Sequence, residues 1–456
     1  MPVAAFQSIF PWNQELISTH PLLNDSELRN RITNAATAYG EWKNKTFAQR
    51  GDILKKTATL LRRDLEVLAT LISREMGKVI SESRAEIEKC AWACDFYAEN
   101  GAAFLQDEIL EAGYTKSLVS FEPVGAVLAI MPWNFPFWQV FRFAAPTLMA
   151  GNVCLLKHAP NVCGCALAIE QIFLEAGATE GVFTSLILDV PAVEKIISSS
   201  IVQAVTLTGS ERAGSSVAAI AGKHIRKSVM ELGGSDALIV LADADLQKAA
   251  ETAIQSRMQN AGQSCIAAKR FIVVKEAETA FLDKLLTEIK KLKQGNPLEK
   301  GISTGPVARP DLAEHIQKQM QDAIQKGATL LHGGEASGCN VQPALLSSVK
   351  KGMSVYEEET FGPLAVVITA KNEEDAIHLA NDSAYGLGGS IWTRNLEKGF
   401  ALAKKMESGA VFINALVKSD PRLPFGGIKQ SGYGRELGKT GIREFVNIKA
   451  IAGQSA

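Results

Sequence analysis

The strongest constraint on the fold is a repeated alternation of strand-like and helix-like segments in the middle of the chain. Short apolar runs alternate with helical runs at residues 153–157, 165–176, 182–188, 193–198, 204–207, 210–221 and 227–230. Strands that are separated by helices at this spacing pair in parallel, because each helix crosses over the sheet before the next strand begins. The sequence therefore predicts an α/β protein built on βαβ units.

A second alternating block follows the first. Strands are predicted at residues 237–241, 271–274, 364–369 and 411–414, and helices at residues 244–260 and 277–293. The stretch 295–362 is richer in Gly and Pro and is predicted to be irregular. The chain has 456 residues, a length that alone suggests about three domains, and the two blocks predict two large α/β domains.

The first quarter of the chain has a different pattern. Between residues 25 and 100, leucines recur three and four positions apart with Lys and Arg between them, which predicts a helical layer. We interpret this layer as lacking catalytic groups. Residues 117–121 and 125–130 have strand character and are predicted to form an extended hairpin or arm.

Composition excludes several classes of protein. Lys and Arg number 48 against 49 Asp and Glu, so no basic surplus exists to neutralise a nucleic-acid backbone. Residues 123–141 are uncharged over a length that could cross a bilayer, but Pro132, Asn134 and Pro136 would break a membrane helix. A buried core segment is the better interpretation. The first ten residues lack the pattern of a secretory signal.

The cysteines and histidines also limit the possibilities. Seven cysteines, an odd number spread along the chain, favour reduced thiols in the cytoplasm over a disulfide framework. The six histidines form no HExxH pattern, and the cysteine pairs lack zinc-finger spacing. No metal site is predicted.

Two strand ends carry candidate ligand-binding groups. No GxGxxG motif follows any predicted strand, but residues 208–214 (TGSERAG) lie where a strand meets a helix. Gly209 and Ser210 either form a pyrophosphate-binding turn at the helix N-terminus or an ordinary turn with a Ser cap. Glu231, before Gly233 and Gly234, is either a ligand-facing carboxylate at a strand end or a solvated turn residue.

Three further stretches contain candidate chemistry. Cys265 follows small and polar residues that leave its thiol room beside a substrate, although it is one cysteine among seven. Asn134 lies in the irregular apolar stretch 131–136, where its amide either holds the turn together or donates to an oxyanion. The glycine-dense stretch 424–436 is predicted to be a structured loop.

Taken in order, these motifs resemble the aldehyde dehydrogenase superfamily along nearly the whole chain, and within it the succinate-semialdehyde dehydrogenases of bacteria. The resemblance rests on PWNFP at Pro132, Lys157, TGS at Thr208, ELGG at Glu231, GQSC ending at Cys265, EETFGP at Glu358 and PFGGIKQSG at Pro424. It implies oxidation of succinate semialdehyde to succinate with reduction of NAD(P). Cys265 is then the nucleophile, Asn134 stabilises the oxyanion, and Glu231 activates the water that hydrolyses a thioester.

The resemblance also implies a dinucleotide site for NADP or NAD. Lys157 matches a ribose-binding lysine, Gly209 and Ser210 the pyrophosphate turn, and Glu359 the carboxylate on the nicotinamide ribose. The remaining implied cofactor contacts are Met131, Trp133, Leu232 and Phe361. NAD-preferring relatives often carry a Glu three residues after the lysine that repels a 2′-phosphate. Pro160 occupies that position here, so we expect NADP to be accepted.

A substrate-carboxylate site is implied as well. Arg142, eight residues after Asn134, matches the arginine that binds the substrate carboxylate in such relatives, although a structural ion pair remains the alternative. A second arginine of some relatives is replaced by Gln259. The other implied substrate contacts are Trp138, Arg257, Ser419 and Arg422.

The resemblance implies a Rossmann-type cofactor domain, an α/β catalytic domain and a small β oligomerisation element. We expect the cofactor domain at residues 1–110 and 124–232, the catalytic domain at 233–430, and the oligomerisation element with the C-terminal tail at 111–123 and 431–456. A homodimer or homotetramer is expected, because an exposed hairpin needs a partner at its edge.

Two alternatives to the oxidation of succinate semialdehyde are left open. One is a dehydrogenase of another small aldehyde, such as glutarate semialdehyde or an aliphatic aldehyde, and the other is a catalytically silent homologue.

Overall fold

A computed structural model describes residues 5–455, so the predicted domain limits at residues 1 and 456 lie outside the described residues. The first half of the chain contains β1 (Ala5–Phe10), β2 (Glu15–Pro21), α1 (Asp25–Trp42), α2 (Phe47–Arg63), α3 (Leu65–Met76), α4 (Ile80–Phe104), β3 (Glu108–Ile109), β4 (Lys116–Pro123), β5 (Ala126–Met131), α5 (Trp138–Met149), β6 (Val153–His158), α6 (Cys163–Glu175), β7 (Phe183–Ser185), α7 (Val193–Ile197), β8 (Val202–Thr208), α8 (Glu211–Lys223) and β9 (Lys227–Glu231).

The second half contains β10 (Asp236–Val240), α9 (Leu246–Met258), β11 (Ala268–Val274), α10 (Glu278–Ile289), α11 (Pro310–Gln325), β12 (Thr329–His332), β13 (Ala336–Ser337), β14 (Asn340–Val341), β15 (Ala344–Ser347), α12 (Ser354–Glu357), β16 (Leu364–Ala370), α13 (Glu373–Asn381), β17 (Tyr385–Gly386), β18 (Gly388–Trp392), α14 (Leu396–Ala403), β19 (Ala410–Ile413), β20 (Ile428–Lys429), β21 (Gly432–Tyr433), α15 (Gly438–Ile442) and β22 (Val446–Gly453).

The predicted parallel sheets are confirmed. One sheet has the strand order β21-β9-β8-β5-β6-β7, in which all pairs except β21 with β9 are parallel. Its central strands are buried on both faces, which explains their continuous apolar sequences. The carboxyl ends of β5, β6, β8 and β9 meet at one edge, the place where open α/β sheets bind ligands.

The second sheet has the order β12-β15-β16-β11-β10-β18-β19, with only β12 antiparallel to its neighbour. Each large sheet has its own hydrophobic core, covered by helices. Two separate cores agree with two large α/β units. The exact residue limits of the domains remain predictions.

Two expectations about local structure are wrong. The strands β4 and β5 do not form a hairpin, because β4 pairs with β22 and β3 whereas β5 joins the first large sheet. The stretch predicted to be irregular contains α11, a 16-residue helix that begins with Pro310 at its first turn. Proline is favoured there because its missing N–H has no helical partner to lose.

The predicted helical layer is confirmed as α1 to α4. Capping boxes fix the starts of α1 and α2, where Asn24 pairs with Glu27 and Thr46 pairs with Gln49. The uncharged stretch 123–141 forms β5, the following turn and the start of α5, all within the first core. Among residues 5–455, no helix is both long enough and apolar enough to span a membrane.

Candidate active site

A strained turn positions Cys265 between α9 and β11. Asn260 and Ala261 have φ values of 53° and 52°, and Gly262 follows with φ of 75°. A Cβ atom on Gly262 would lie 2.1 Å from the carbonyl oxygen of Gly362, so only glycine fits. Three successive left-handed residues reverse the chain and bring the thiol back towards the first sheet.

The Cys265 thiol is half-buried. Burial raises its pKa to about 11, while the positive charges of Lys269 and Arg142 act in the opposite direction. The Lys269 ammonium donates hydrogen bonds to the carbonyls of Ser264 (2.7 Å) and Cys265 (2.6 Å). A cation is thus fixed beside the nucleophile's own peptide, where it favours the thiolate over the thiol.

Asn134 lies in the turn that follows β5, and its amide reaches the Cys265 loop. Its Nδ2 donates to the Gln263 carbonyl at 3.1 Å, and Asn260 Nδ2 donates to the Asn134 carbonyl at 2.7 Å. His158 also stabilises the turn, because its Nε2 donates to the Pro136 carbonyl at 2.9 Å. The amide therefore both holds the turn and stands beside the nucleophile, so the two interpretations of Asn134 are compatible.

Glu231 ends β9 and is 2% exposed, so the interpretation as a solvated turn residue is wrong. Among the described residues, neither of its carboxylate oxygens has a hydrogen-bond partner. Burial raises its pKa well above the usual range, opposed by the charge of Arg142. A buried carboxyl with free oxygens and a raised pKa is suited to act as a general base.

Arg142, on α5, is 2% exposed, and its charge acts on both Cys265 and Glu231. It forms an ion pair with Glu436 and donates to Thr208 Oγ1 at 3.1 Å, and its guanidinium lies 4.7 Å from the centre of the Phe425 ring. The structural ion pair left open by the sequence is therefore present. Glu436 neutralises part of the charge that a substrate carboxylate would meet.

A cavity of about 250 Å³ opens beside Cys265. It brings together five residues predicted for the site, namely Trp138, Arg142, Gln259, Cys265 and Ser419. The side formed by Phe135, Trp138, Arg142, Ser264 and Cys265 is called the motif wall below. The part of the lining formed by Glu82, Ala85, Glu86 and Lys89 of α4 is called the α4 wall.

Two residues predicted to contact substrate lie elsewhere. Arg257 is fully buried and donates to the carbonyls of Leu364 (2.9 Å), Thr360 (2.8 Å) and Gly362, so it holds the turn that follows Glu359. Arg422 forms a two-bond pair with Asp420, and its side chain is 65% exposed. Neither side chain lines the cavity, because Arg257 is held by carbonyls of residues 360–364 and Arg422 is held by Asp420.

The α4 wall corrects the interpretation of the helical layer. Glu86 accepts hydrogen bonds from the backbone N–H groups of Phe137 (2.8 Å) and Trp138 (3.0 Å) and forms an ion pair with Lys78. It therefore caps α5, the helix that carries Arg142. One sequence signal was available: Glu82, Glu86 and Lys89 recur at helical spacing on a face that also carries buried apolar residues.

The carboxyl edge of the first sheet provides the features of a dinucleotide site. Ser210 caps α8 by accepting from the Ala213 N–H at 3.4 Å, and a Cβ on Gly209 would meet only one neighbouring carbon, at 3.5 Å. Lys157 is buried at the end of β6, which lowers the pKa of its ammonium. Asn161 Nδ2 is buried without a partner among the described residues. A helix N-terminus, a cation and an unused donor fit an anionic nucleotide.

Glu359 stands where this edge approaches Cys265. Its carboxylate accepts from the Gly234 N–H at 3.0 Å and pairs with Lys269 at 3.1 Å. Burial raises the pKa of Glu359, and Lys269 opposes that shift. Because Lys269 also binds the Cys265 carbonyl, one buried cation connects the nucleophile loop to the predicted ribose-binding carboxylate. The sequence did not single out Lys269.

The remaining predicted cofactor contacts line the same edge. The rings of Trp133 and Phe361 meet edge to face with centroids 5.8 Å apart. Met131 is buried at the end of β5, and Leu232 fills the space above Gly214, where an added Cβ would lie 2.5 Å from its Cδ2. We propose these residues as cofactor contacts because they lie at the carboxyl edge of the first sheet.

Comparison with known proteins decides the family. Residues 3–451 match the model of the aldehyde dehydrogenase family. The chain belongs to the aldehyde dehydrogenase family. Of the three predicted catalytic residues, Cys265 lines the cavity, Asn134 donates to the loop that carries Cys265, and the charge of Glu231 acts on the Cys265 thiol and raises its pKa.

Relatives match this aldehyde dehydrogenase over nearly its whole length. The chain is 46% identical over 98% of its length to a probable succinate-semialdehyde dehydrogenase (NADP(+)) of Synechocystis sp., of which it covers 99%. It is 42% identical over 97% of its length to the succinate semialdehyde dehydrogenase (NAD(P)+) of Escherichia coli strain K12, covering 97% of that protein.

Solved structures give the same result for the fold. The crystal structure of succinic semialdehyde dehydrogenase from Streptococcus pyogenes, in complex with NADP+, matches this aldehyde dehydrogenase with a TM-score of 0.97 and 38% sequence identity. The match covers 99% of this chain and 100% of that chain. The predicted aldehyde dehydrogenase fold is confirmed.

Proposed function

We propose that this aldehyde dehydrogenase oxidises succinate semialdehyde to succinate with NADP as the preferred acceptor. The observation that carries the proposal is a single cavity in which the Cys265 thiol faces cationic side chains. A thiol beside cations suits a substrate that has an aldehyde at one end and a carboxylate at the other. Relatives at 41–46% identity carry the same activity in their names.

The chain's own residues account for the first step. The Cys265 thiolate attacks the aldehyde carbon, a C–S bond forms, and the carbonyl oxygen becomes an oxyanion. The Asn134 amide and the backbone N–H of Cys265 stabilise this charge in a site with little water. Lys269 favours the thiolate through its bonds to the Ser264 and Cys265 carbonyls.

The second half of the reaction requires a base. A nicotinamide held by the predicted contacts Glu359 and Phe361 would accept the hydride that leaves the substrate carbon as the oxyanion collapses, and Cys265 would then carry a thioester. Glu231 removes a proton from water, whose oxygen attacks the thioester and releases the acid and the thiolate. Burial raises the pKa of Glu231, which favours its holding the proton that it removes from water.

The cofactor proposal rests on Lys157, Pro160 and the α8 N-terminus. Lys157 and the Ser210 turn hold the adenosine side, while Glu359 with Phe361 holds the nicotinamide ribose. Pro160 begins a short 3₁₀ turn and has no charge, so the residue three positions after Lys157 does not repel a 2′-phosphate, and Lys157 offsets the nearby charge of Asp189. NADP is accepted for that reason.

The test is a kcat/KM panel of succinate semialdehyde, glutarate semialdehyde and butanal against both cofactors. Succinate semialdehyde with NADP is expected to give the highest value. A higher kcat/KM for butanal would overturn the substrate. A higher kcat/KM with NAD than with NADP would overturn the cofactor preference, and a deficit of NADP by more than about a hundredfold, roughly 2.7 kcal/mol, would show that NADP is not accepted.

We also propose a homo-oligomer in the cytoplasm. The sheet of β3, β4 and β22 exposes Ile109, Ile448 and Ile451 by 78%, 60% and 46%, and β22 leaves one edge unpaired among the described residues. Such an edge needs a partner strand. Sedimentation should therefore show a dimer or tetramer. A monomer at micromolar concentration would refute the oligomer, and export of the protein would refute the cytoplasmic location.

A further inference from the structure

Besides Arg142, a second cation in the cavity is needed to bind the substrate carboxylate. Arg142 already pairs with Glu436, and the other predicted arginines, Arg257 and Arg422, do not line the cavity. Lys418 does line it, but its side chain is exposed at the rim, where water and salt screen its charge.

Lys89 of α4 has the environment of a ligand-binding cation. Its ammonium lies on the cavity, 4.1 Å from the centre of the Trp138 ring, and donates to Ser419 Oγ at 2.7 Å. Within residues 5–455 it forms no ion pair. An ammonium has three donors, so two of them have no acceptor on the protein in this part of the chain.

Ser419 strengthens this assignment through its hydroxyl. Its oxygen accepts from both Lys89 Nζ (2.7 Å) and Trp138 Nε1 (3.0 Å). A hydroxyl has two acceptor lone pairs and one O–H, so both lone pairs are occupied and only the proton remains to be shared. Lys89 and Ser419 thus present donors alone to the cavity, a combination that selects an acceptor-only group such as a carboxylate.

Nearby negative groups do not cancel this charge, and Asp420, whose charge also acts on Lys89, is paired with Arg422. Glu86 is neutralised by Lys78 and by two backbone N–H groups. Burial raises the pKa of Glu82 to about 7, so this carboxyl is only partly ionised near neutrality. Burial lowers the pKa of Lys89 to about 8, which leaves the ammonium charged at neutral pH.

We propose that Lys89, with Ser419 as its partner, binds the carboxylate of the substrate and sets the preference for aldehydes that carry a terminal acid group. This inference rests on the proposed function and adds to it a residue from the helical layer. Lys89 acts on specificity, because it contacts the end of the substrate remote from the aldehyde.

The test is Lys89→Met in the full-length enzyme, assayed with succinate semialdehyde and with butanal, which has the same number of carbons and no carboxylate. Loss of a charged hydrogen bond should lower kcat/KM for succinate semialdehyde by about tenfold to a hundredfold. The value for butanal should change by less than about threefold, which also shows that the variant folds. Equal losses on both aldehydes would overturn the inference.

A matched control is Arg84→Met, which removes a positive charge from the same helix at a position paired with Glu66 outside the cavity. It should leave the ratio of the two kcat/KM values unchanged. Lys89→Arg keeps the charge and should retain more of the preference than Lys89→Met. If Lys89→Arg and Lys89→Met lost the preference equally, charge would not be the cause.

Inhibition by succinate separates this inference from the proposed function. Wild-type oxidation of butanal should be inhibited competitively by succinate, and Lys89→Met should weaken that inhibition by about tenfold or more. If the wild type does not favour succinate semialdehyde, the proposed function fails, and this assay alone decides the role of Lys89. Inhibition that is absent from the wild type, or unchanged in the variant, would then overturn the inference.

Discussion

The two walls of the substrate cavity place their polar groups in different ways. The motif wall holds Cys265 on an irregular turn with three left-handed residues, and the PWNFP turn that precedes it in the chain holds Asn134 against the same loop. The α4 wall presents Glu82, Glu86 and Lys89 from one regular helix. Chemistry on irregular turns requires particular glycines and prolines and leaves a visible motif. Functional residues on a regular helix leave no such motif, because the sequence there shows only the ordinary helical spacing.

The walls also differ in their expected tasks. The motif wall carries the nucleophile, so replacement of Cys265 should abolish turnover for every aldehyde, whereas Arg142 on the same wall is predicted to affect aldehydes that carry a carboxylate most. The α4 wall contacts the remote end of the substrate, so substitutions there should change the choice of aldehyde. The predictions below test this division, from the largest expected effect to the smallest.

Cys265→Ser should lower kcat by roughly four orders of magnitude or more for all aldehydes, because a serine hydroxyl is not ionised at neutral pH. Steady-state assays and NADPH binding by fluorescence would measure the loss and show that the fold persists. Cys339→Ser is the control, since Cys339 is buried in the second core and accepts from Gln14. Substantial activity in Cys265→Ser would show that another residue is the nucleophile.

Glu231→Gln should lower kcat by about 10²- to 10⁴-fold, since thioester hydrolysis loses its base. Because burial raises the pKa of Glu231, wild-type kcat should fall as the pH is lowered through a value above the ordinary carboxyl range. The variant should lose this acidic limb. A pH profile that is the same in both proteins would remove Glu231 from the role of base.

Arg142→Met should destabilise the protein by about 3–5 kcal/mol, because it leaves the buried carboxyl of Glu436 without its partner. The double variant Arg142→Met/Glu436→Gln should recover part of this loss in urea unfolding. The resemblance also implies that Arg142 binds the substrate carboxylate, so KM for succinate semialdehyde should rise more than KM for butanal. Equal changes in the two KM values would leave Arg142 with a structural role only.

Arg422→Ala should have the smallest effect. Its charge pairs with Asp420 and its side chain is 65% exposed, so the free energy of unfolding should change little. The ratio of kcat/KM for succinate semialdehyde to that for butanal should stay within about threefold of the wild type. A selective loss on succinate semialdehyde would return Arg422 to the carboxylate site.

The sequence predicted the parts of the site that depend on special backbone geometry. Gly262 and the turn after β5 are readable because few residues can replace them, and buried parallel strands are readable because they are apolar throughout. The resemblance placed residues 111–123 and 431–456 in one element, and β4 does pair with β22, but periodicity alone could not predict this pairing because the partners are separated by more than 300 residues. Periodicity cannot report contacts at such separation.

The sequence also could not predict which partners the charged side chains bind. Arg257 and Arg142 look alike in the sequence, yet one binds the carbonyls after Glu359 and the other lies under Glu231. Lys89 and Lys269 look like ordinary helix and strand lysines until the fold places them beside Ser419 and Cys265. Only the three-dimensional arrangement distinguishes a cation held by the protein from one that is free for a ligand.

The most direct test of the account is to trap the intermediate. Glu231→Gln would be mixed with succinate semialdehyde and NADP, quenched within the first turnover, digested and analysed by mass spectrometry. The account predicts a mass increase equal to one succinyl group on the peptide that contains Cys265, formed together with one equivalent of NADPH. NADPH formation without that adduct, or an adduct on a different residue, would contradict it.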